Sequence, residues 1–162
     1  MSTYLACDIG FRNLGFSVVE AEKESLKLLY AENFVTKGKT ISENLSEIAT
    51  HFKQLVKQYK PDIYIFEDPV MKGEVGAKLN QVIGLLRYLS YKYELAEFCY
   101  KPTEVKKAVT GKGVADKDEM ITAVEKVFPD RKKFLKAENH AADSVCCALC
   151  HIYKTKIKTV DS

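Results

Sequence analysis

Hydrophobic and polar positions follow two different periods along the chain. TYLACDIG (residues 3–10) is a short apolar run ending in glycine, the mark of a buried strand. LGFSVVEA (14–21) and SLKLLYAENF (25–34) follow as two more strands, and the polar AEKE between them suits a hairpin. ISENLSEIATHFKQLVKQY (41–59) changes period: Ile41, Leu45, Ile48, Phe52, Leu55 and Val56 recur at helical spacing. Thr40 or Ser42 can cap that helix, and Lys60-Pro61 ends it. DIYIFEDP (62–69) predicts a strand, EVGAKLNQVIGLLRYLSYKY (74–93) an amphipathic helix, and ELAEFCYKP (94–102) a strand stopped by Pro102. Two helical segments, 102–109 and 116–128, flank the link TGKGVA. ENHAADSVCCALCHIYK (138–154) is apolar on nearly every side, which predicts a deeply packed helix. The polar tail TKIKTVDS is expected to fray.

Three early strands read as an antiparallel meander. The later strand–helix–strand alternation requires parallel pairing through right-handed crossovers. The expectation is an α/β fold: a five-stranded mixed sheet with helices on both faces, one domain over residues 1–155 and a flexible tail over 156–162.

Composition narrows this little. At 162 residues and 46% hydrophobic, the chain can build one sizeable core. No stretch is long and apolar enough to predict a membrane span. MSTYLACDIG has neither a basic nor an apolar leader region, so no secretory signal is expected, and the protein reads as cytoplasmic. Five cysteines without a spaced framework read as reduced thiols. The net charge of +3 is small, but residues 101–136 hold ten basic and six acidic side chains. That bias suits a phosphate backbone and equally suits a solvated face.

Carboxylates stand where a core is expected. Asp8 ends an apolar strand, Glu67 and Asp68 end another, and Asp143 interrupts an apolar helix. Taken singly, each is a cap or turn residue. Three such sites on three elements point instead to a cluster, because buried carboxylates need a partner. His140 precedes Asp143 by three residues and shares its helix face. Oxygen donors with one imidazole suit Mg²⁺ or Mn²⁺. Two such ions would activate water and stabilise the leaving oxygen in phosphodiester cleavage.

Other motifs carry less. CALCH (147–151) matches a haem-attachment pattern, but late in an apolar helix its cysteines read as core. TGKGVADK (110–117) lacks the spacing of a phosphate-binding loop. DIGFRNLG (8–15) is similar to the first phosphate motif of actin-like ATPases, whose two-domain cleft needs a longer chain.

DIGxxNxGF (8–16), the strand ending in Glu67, KLNQVIGLLRY (78–88), PTEVKKAVTGKGVADKDEM (102–120) and HAADSVCCALCH (140–151) occur together in order. In this the chain resembles the RuvC family of Holliday-junction resolvases over nearly its whole length. The resemblance implies a ribonuclease H-like fold, a homodimer, and Mg²⁺-dependent paired nicking of four-way DNA junctions, with Mn²⁺ as a substitute. Branch-migration proteins are possible further partners. It assigns Asp8, Glu67, His140 and Asp143 as catalytic metal ligands for two ions, with His140 at a position that is Asp in some members. Lys106 and Lys117 match the family's two functional lysines, and Arg12 and Asn13 after Asp8 are expected DNA contacts. The chain departs from the pattern after Glu67: EDPVMKGEV offers no aromatic to stack on junction bases, and Met71 is the nearest apolar substitute. Asp68 and Pro69 also depart from the best-known bacterial members, which points to a phage or divergent version. The rival readings are a nuclease of the same fold acting on other branched DNA or RNA, a non-catalytic junction-binding module, and an actin-like nucleotide-binding domain.

Overall fold

The computed structural model describes residues 1–23, 25–69, 73–131 and 139–160, with 157–160 as backbone alone. Met71 and Glu138, both invoked above, lie outside the described residues. Five strands form one sheet: β1 (Ser2–Asp8), β2 (Asn13–Glu22), β3 (Ser25–Val35), β4 (Ile63–Glu67) and β5 (Ala96–Tyr100), in the order β3-β2-β1-β4-β5. β1, β2 and β3 pair antiparallel, while β4 pairs parallel with β1 and β5 parallel with β4. The α-helices among the described residues are α1 (Ile41–Tyr59), α2 (Gly73–Lys92), α3 (Pro102–Thr110), α4 (Lys117–Val127) and α5 (Asn139–Val160).

Strand alternation sorts the core into two layers. Leu5 and Cys7 of β1, with Tyr64 and Phe66 of β4, pack on Ile48, Phe52, Leu79 and Leu86 of α1 and α2. Tyr4 and Ala6, with Ile65, pack against α4 and α5 on the opposite face. Asp8 and Glu67 continue the second set by the period of two, so both belong to the face that α5 covers. Asp68 alternates away and is exposed. This mixed sheet with helices on both faces is the predicted arrangement.

Local chemistry sets the element ends. Thr40 caps α1 by accepting from Glu43 N, and Glu43 reciprocates in a capping box; Lys60, at φ 48°, closes it in the left-handed region. β5 is shorter than the predicted 94–102. Glu94 adopts φ 57°, which ends the preceding turn, and Pro102 opens α3, where its missing N–H costs nothing. The last helix departs most. It continues to Val160 where the sequence pattern expects fraying from Thr155 and a tail from 156. No glycine or proline interrupts residues 139–160, so the backbone has no reason to stop at Lys154. Its middle is buried from Ala141 to Ile152 apart from Asp143, as its apolar surface predicts.

Candidate functional site

β1 and β4 are parallel neighbours, and their last paired residues are Cys7 and Phe66. Asp8 and Glu67 therefore emerge side by side, one residue further on, at the carboxyl edge of the sheet. α5 crosses above them. Its first turn presents His140, and Asp143 follows three residues later on the same face. Ligand-type atoms of Asp8, His140 and Asp143 lie within 4.8 Å of one another. His140 Nδ1 is 2.7 Å from Asp8 Oδ2. Glu67 stands beside this trio in a cleft of ≈ 240 Å³, lined also by Asp8, Asp143, Lys106, Asp116 and Lys117.

Two helices bring the lysines. Lys106 sits in the middle of α3. Gly111, at φ 81°, ends that helix in a conformation that disfavours any side chain, and the chain turns to start α4 at Lys117. Lys117 Nζ lies 3.2 Å from Asp143 Oδ2. Asp116 lines the cleft, but its carboxylate accepts from Glu119 N at 2.9 Å as the cap of α4.

The electrostatics show charge held under pressure. Burial pushes the Glu67 carboxyl up to about 7, and the neighbouring Asp8 and Asp143 push the same way, with Lys106 opposing. Asp143 is also raised, first by burial and then by Asp8, against the pull of Lys117. His140 is raised by its hydrogen bond to Asp8, partly opposed by burial. Each shift reports excess negative charge in a partly dry cleft. Hard oxygen donors and one imidazole, converging with unrelieved repulsion, fit a divalent cation.

The structure thus gathers Asp8, Glu67, Asp143, Lys106 and Lys117 around one cleft, with His140 beside it on Asp8. Arg12, in the turn before β2, and Asn13, the first residue of β2, are exposed and do not line it. The CALCH motif belongs to the core: Cys147 and Cys150 are buried free thiols, and His151 Nδ1 is 2.8 Å from Tyr100 Oη. Sequence reasoning missed Asn33 of β3, whose Oδ1 accepts from Ala141 N at 2.7 Å. An isolated asparagine on a strand gives no sign of this; only strand register and helix position reveal it.

A Crossover junction endodeoxyribonuclease RuvC of Parvibaculum lavamentivorans is 30% identical over 155 residues, spanning 93% of this chain and 86% of the relative. One of the same name from Aliarcobacter butzleri is 31% identical, spanning 91% and 96%. The structure of Thermus thermophilus RuvC in complex with a Holliday junction substrate superposes with a TM-score of 0.87 over 98% of both chains at 22% identity, a likeness of fold. The family model described as Crossover junction endodeoxyribonuclease RuvC matches residues 4–151, from the third residue of β1 to His151 near the middle of α5, a span that holds every residue of the cleft; the chain belongs to the RuvC family.

Proposed function

We propose that the protein is a crossover junction endodeoxyribonuclease that resolves four-way DNA junctions by paired nicks. The observation that carries this reading is the convergence of Asp8, His140 and Asp143 within 4.8 Å, beside Glu67 and two lysines, in a chain of this family. Asp8, Glu67, His140 and Asp143 are the proposed ligands of two Mg²⁺ ions, with Mn²⁺ serving at least as well because imidazole favours it. Bound there, the ions supply a Lewis acid that activates water and steadies the leaving oxygen.

The chain's own residues prepare the cleft for that role. Asp8 orients His140 through Nδ1, so the imidazole is fixed before DNA arrives. His140 would have to be unprotonated at the nitrogen that holds a cation, so metal binding would compete with protons at His140. Lys117 holds Asp143 and leaves half its own surface open, where a phosphate oxygen can reach it. Lys106 counters the charge of Glu67 from α3 and grips the backbone. No helix among the described residues is long and apolar enough to cross a membrane. The reading includes a homodimer acting in the cytoplasm, with branch-migration proteins as possible partners.

The test uses labelled four-way junction and matched linear duplex, each with Mg²⁺, Mn²⁺ or EDTA. Paired metal-dependent nicks near the crossover are expected, with linear duplex barely cut. Asp8→Asn should reduce cleavage at least a hundredfold while junction binding is kept or tightened, because a negative charge facing phosphate is removed. His140→Asp should retain cleavage and His140→Ala should lose most of it. Equal cutting of linear and branched DNA would overturn the reading.

A further inference from the structure

The first five residues of α5 carry half of the proposed ligand set, so the seat of its first turn on the sheet decides where those ligands stand. The opening N–H groups of a helix have no partner within it. Ala141 is the third residue of α5, and its N–H is met by a strand residue 108 positions earlier in the chain: Asn33 Oδ1, at 2.7 Å.

The register explains the meeting. Asn33 of β3 pairs with Gly15 of β2, and Gly15 pairs with Asp8 of β1. Directly paired residues on adjacent strands point to the same face. One row across the sheet therefore reads Asn33, Gly15, Asp8, and the turn His140–Ala141 lies along it. Gly15 is the low point of the row. A Cβ there would stand 1.7 Å from the His140 carbonyl oxygen and 2.2 Å from its carbon, so only a glycine lets the helix come this close. Asp8 engages the His140 ring at one end of the row. Asn33 engages the backbone at the other.

We infer that Asn33 is a positioning residue for the metal site: its side-chain amide, docked on Ala141 N across the Gly15 gap, fixes the first turn of α5 so that His140 and Asp143 meet Asp8. The inference rests on the nuclease reading for the use of the site, though not for its geometry. Asp8 alone cannot do this work. Its bond goes to a side chain that can turn about its own torsions, while the bond from Asn33 goes to the main chain. Asp143 is two residues beyond Ala141 and moves with it. The hydrogen bond of Asn33 goes to the Ala141 main chain and not to a proposed ligand's side chain, so its effect passes through the helix backbone. Groups that orient ligands in this way are typically worth about 10–100-fold in metal affinity.

The experiment compares full-length wild type with Asn33→Ala and Asn33→Asp. An aspartate keeps an acceptor at the same reach and suits a helix N-terminus; alanine leaves the Ala141 N–H unmet. Three readouts are taken: Mn²⁺ affinity by calorimetry without DNA, amide hydrogen exchange at Ala141 and its neighbours, and single-turnover junction cleavage beside junction affinity. Asn33→Ala is expected to weaken Mn²⁺ binding about tenfold, to speed exchange at Ala141, and to slow cleavage with junction affinity unchanged. Asn33→Asp is expected to restore all three. Asn33→Ser, whose hydroxyl is an atom too short, replaces the alanine variant if that one does not fold. Wild-type Mn²⁺ affinity in a folded alanine or serine variant overturns the inference, and so does an aspartate variant that behaves like alanine. If wild type itself cuts no junction while the Mn²⁺ and exchange effects stand, the nuclease reading fails and the positioning role survives.

Discussion

Glu67 shows what a single residue in this cleft costs. Its carboxyl is pushed up to about 7 by burial and by Asp8 and Asp143, so at pH 8 the folded chain holds a charge there that costs more than it does in the unfolded chain. The unfolded chain carries no such strain. Glu67→Gln should therefore stabilise the metal-free protein by about 1–2 kcal/mol after discounting for partial exposure, read as a melting temperature a few degrees higher in EDTA. The same change removes a proposed ligand, so the increase that Mg²⁺ or Mn²⁺ gives wild type should shrink or vanish. A variant that is less stable in EDTA and still gains fully from metal would refute the assignment. Asp8, Glu67 and Asp143 were legible in the sequence because each breaks an apolar pattern where a carboxylate needs a reason. Asn33 was not legible. Its partner is a backbone N–H, which every residue has, and no side-chain pattern marks that end of the contact.

Two histidines outside the cleft tie whole elements together. His51 of α1 stacks on Phe34 of β3 at 4.2 Å and 10°, with Phe16, Tyr30 and Glu32 around it. His151 of α5 meets Tyr4 of β1 and both Phe98 and Tyr100 of β5. Burial lowers both below the ordinary histidine value, with Glu32 opposing in the case of His51. Such a group binds fewer protons folded than unfolded, so the stability it contributes is present above about 6.5 and is lost as pH falls through the folded value. Glu67, Asp143 and His140 are raised and pull the other way in the metal-free protein, so the test is a difference between variants. His151→Phe keeps the ring packing and removes the titration. Its melting temperature should fall less between pH 7.5 and 5 than that of wild type, and parallel curves would show that His151 does not titrate against folding. At this scale the sequence predicts element types well, because periodicity and caps are local. It misplaces some of their ends. α5 runs on to Val160 for want of a breaker, and β5 shortens because Glu94 closes the turn before it and Pro102 already belongs to the next helix.

For the whole molecule, topology and symmetry decide the rest. The order β3-β2-β1-β4-β5 puts the ends of β1 and β4 together, and the described residues hold one cluster of three His, Cys, Asp or Glu donors that could take a metal. A four-way junction resolved symmetrically presents two equivalent scissile strands, so paired nicks call for two copies of the chain related by a two-fold axis. α2 supplies a surface suited to that. Its inner face, from Gly76 and Leu79 to Leu89, is buried, while Ala77, Gln81, Gly84, Tyr88 and Tyr91 form an exposed stripe at helical spacing. Tyr88 is 61% and Tyr91 85% exposed, two aromatics neighbouring on this stripe. Gly84 lies at the centre of the stripe, and a Cβ there meets nothing within 4 Å. Gly84→Arg is therefore sterically free within one chain and obstructs a second helix laid against α2. The variant should keep most of its melting temperature and its gain with Mn²⁺, should sediment as a monomer where wild type is expected to sediment as a dimer, and should nick junctions one strand at a time. A Gly84→Arg protein that still sediments as a dimer and cuts both strands in one encounter would place the interface elsewhere than α2.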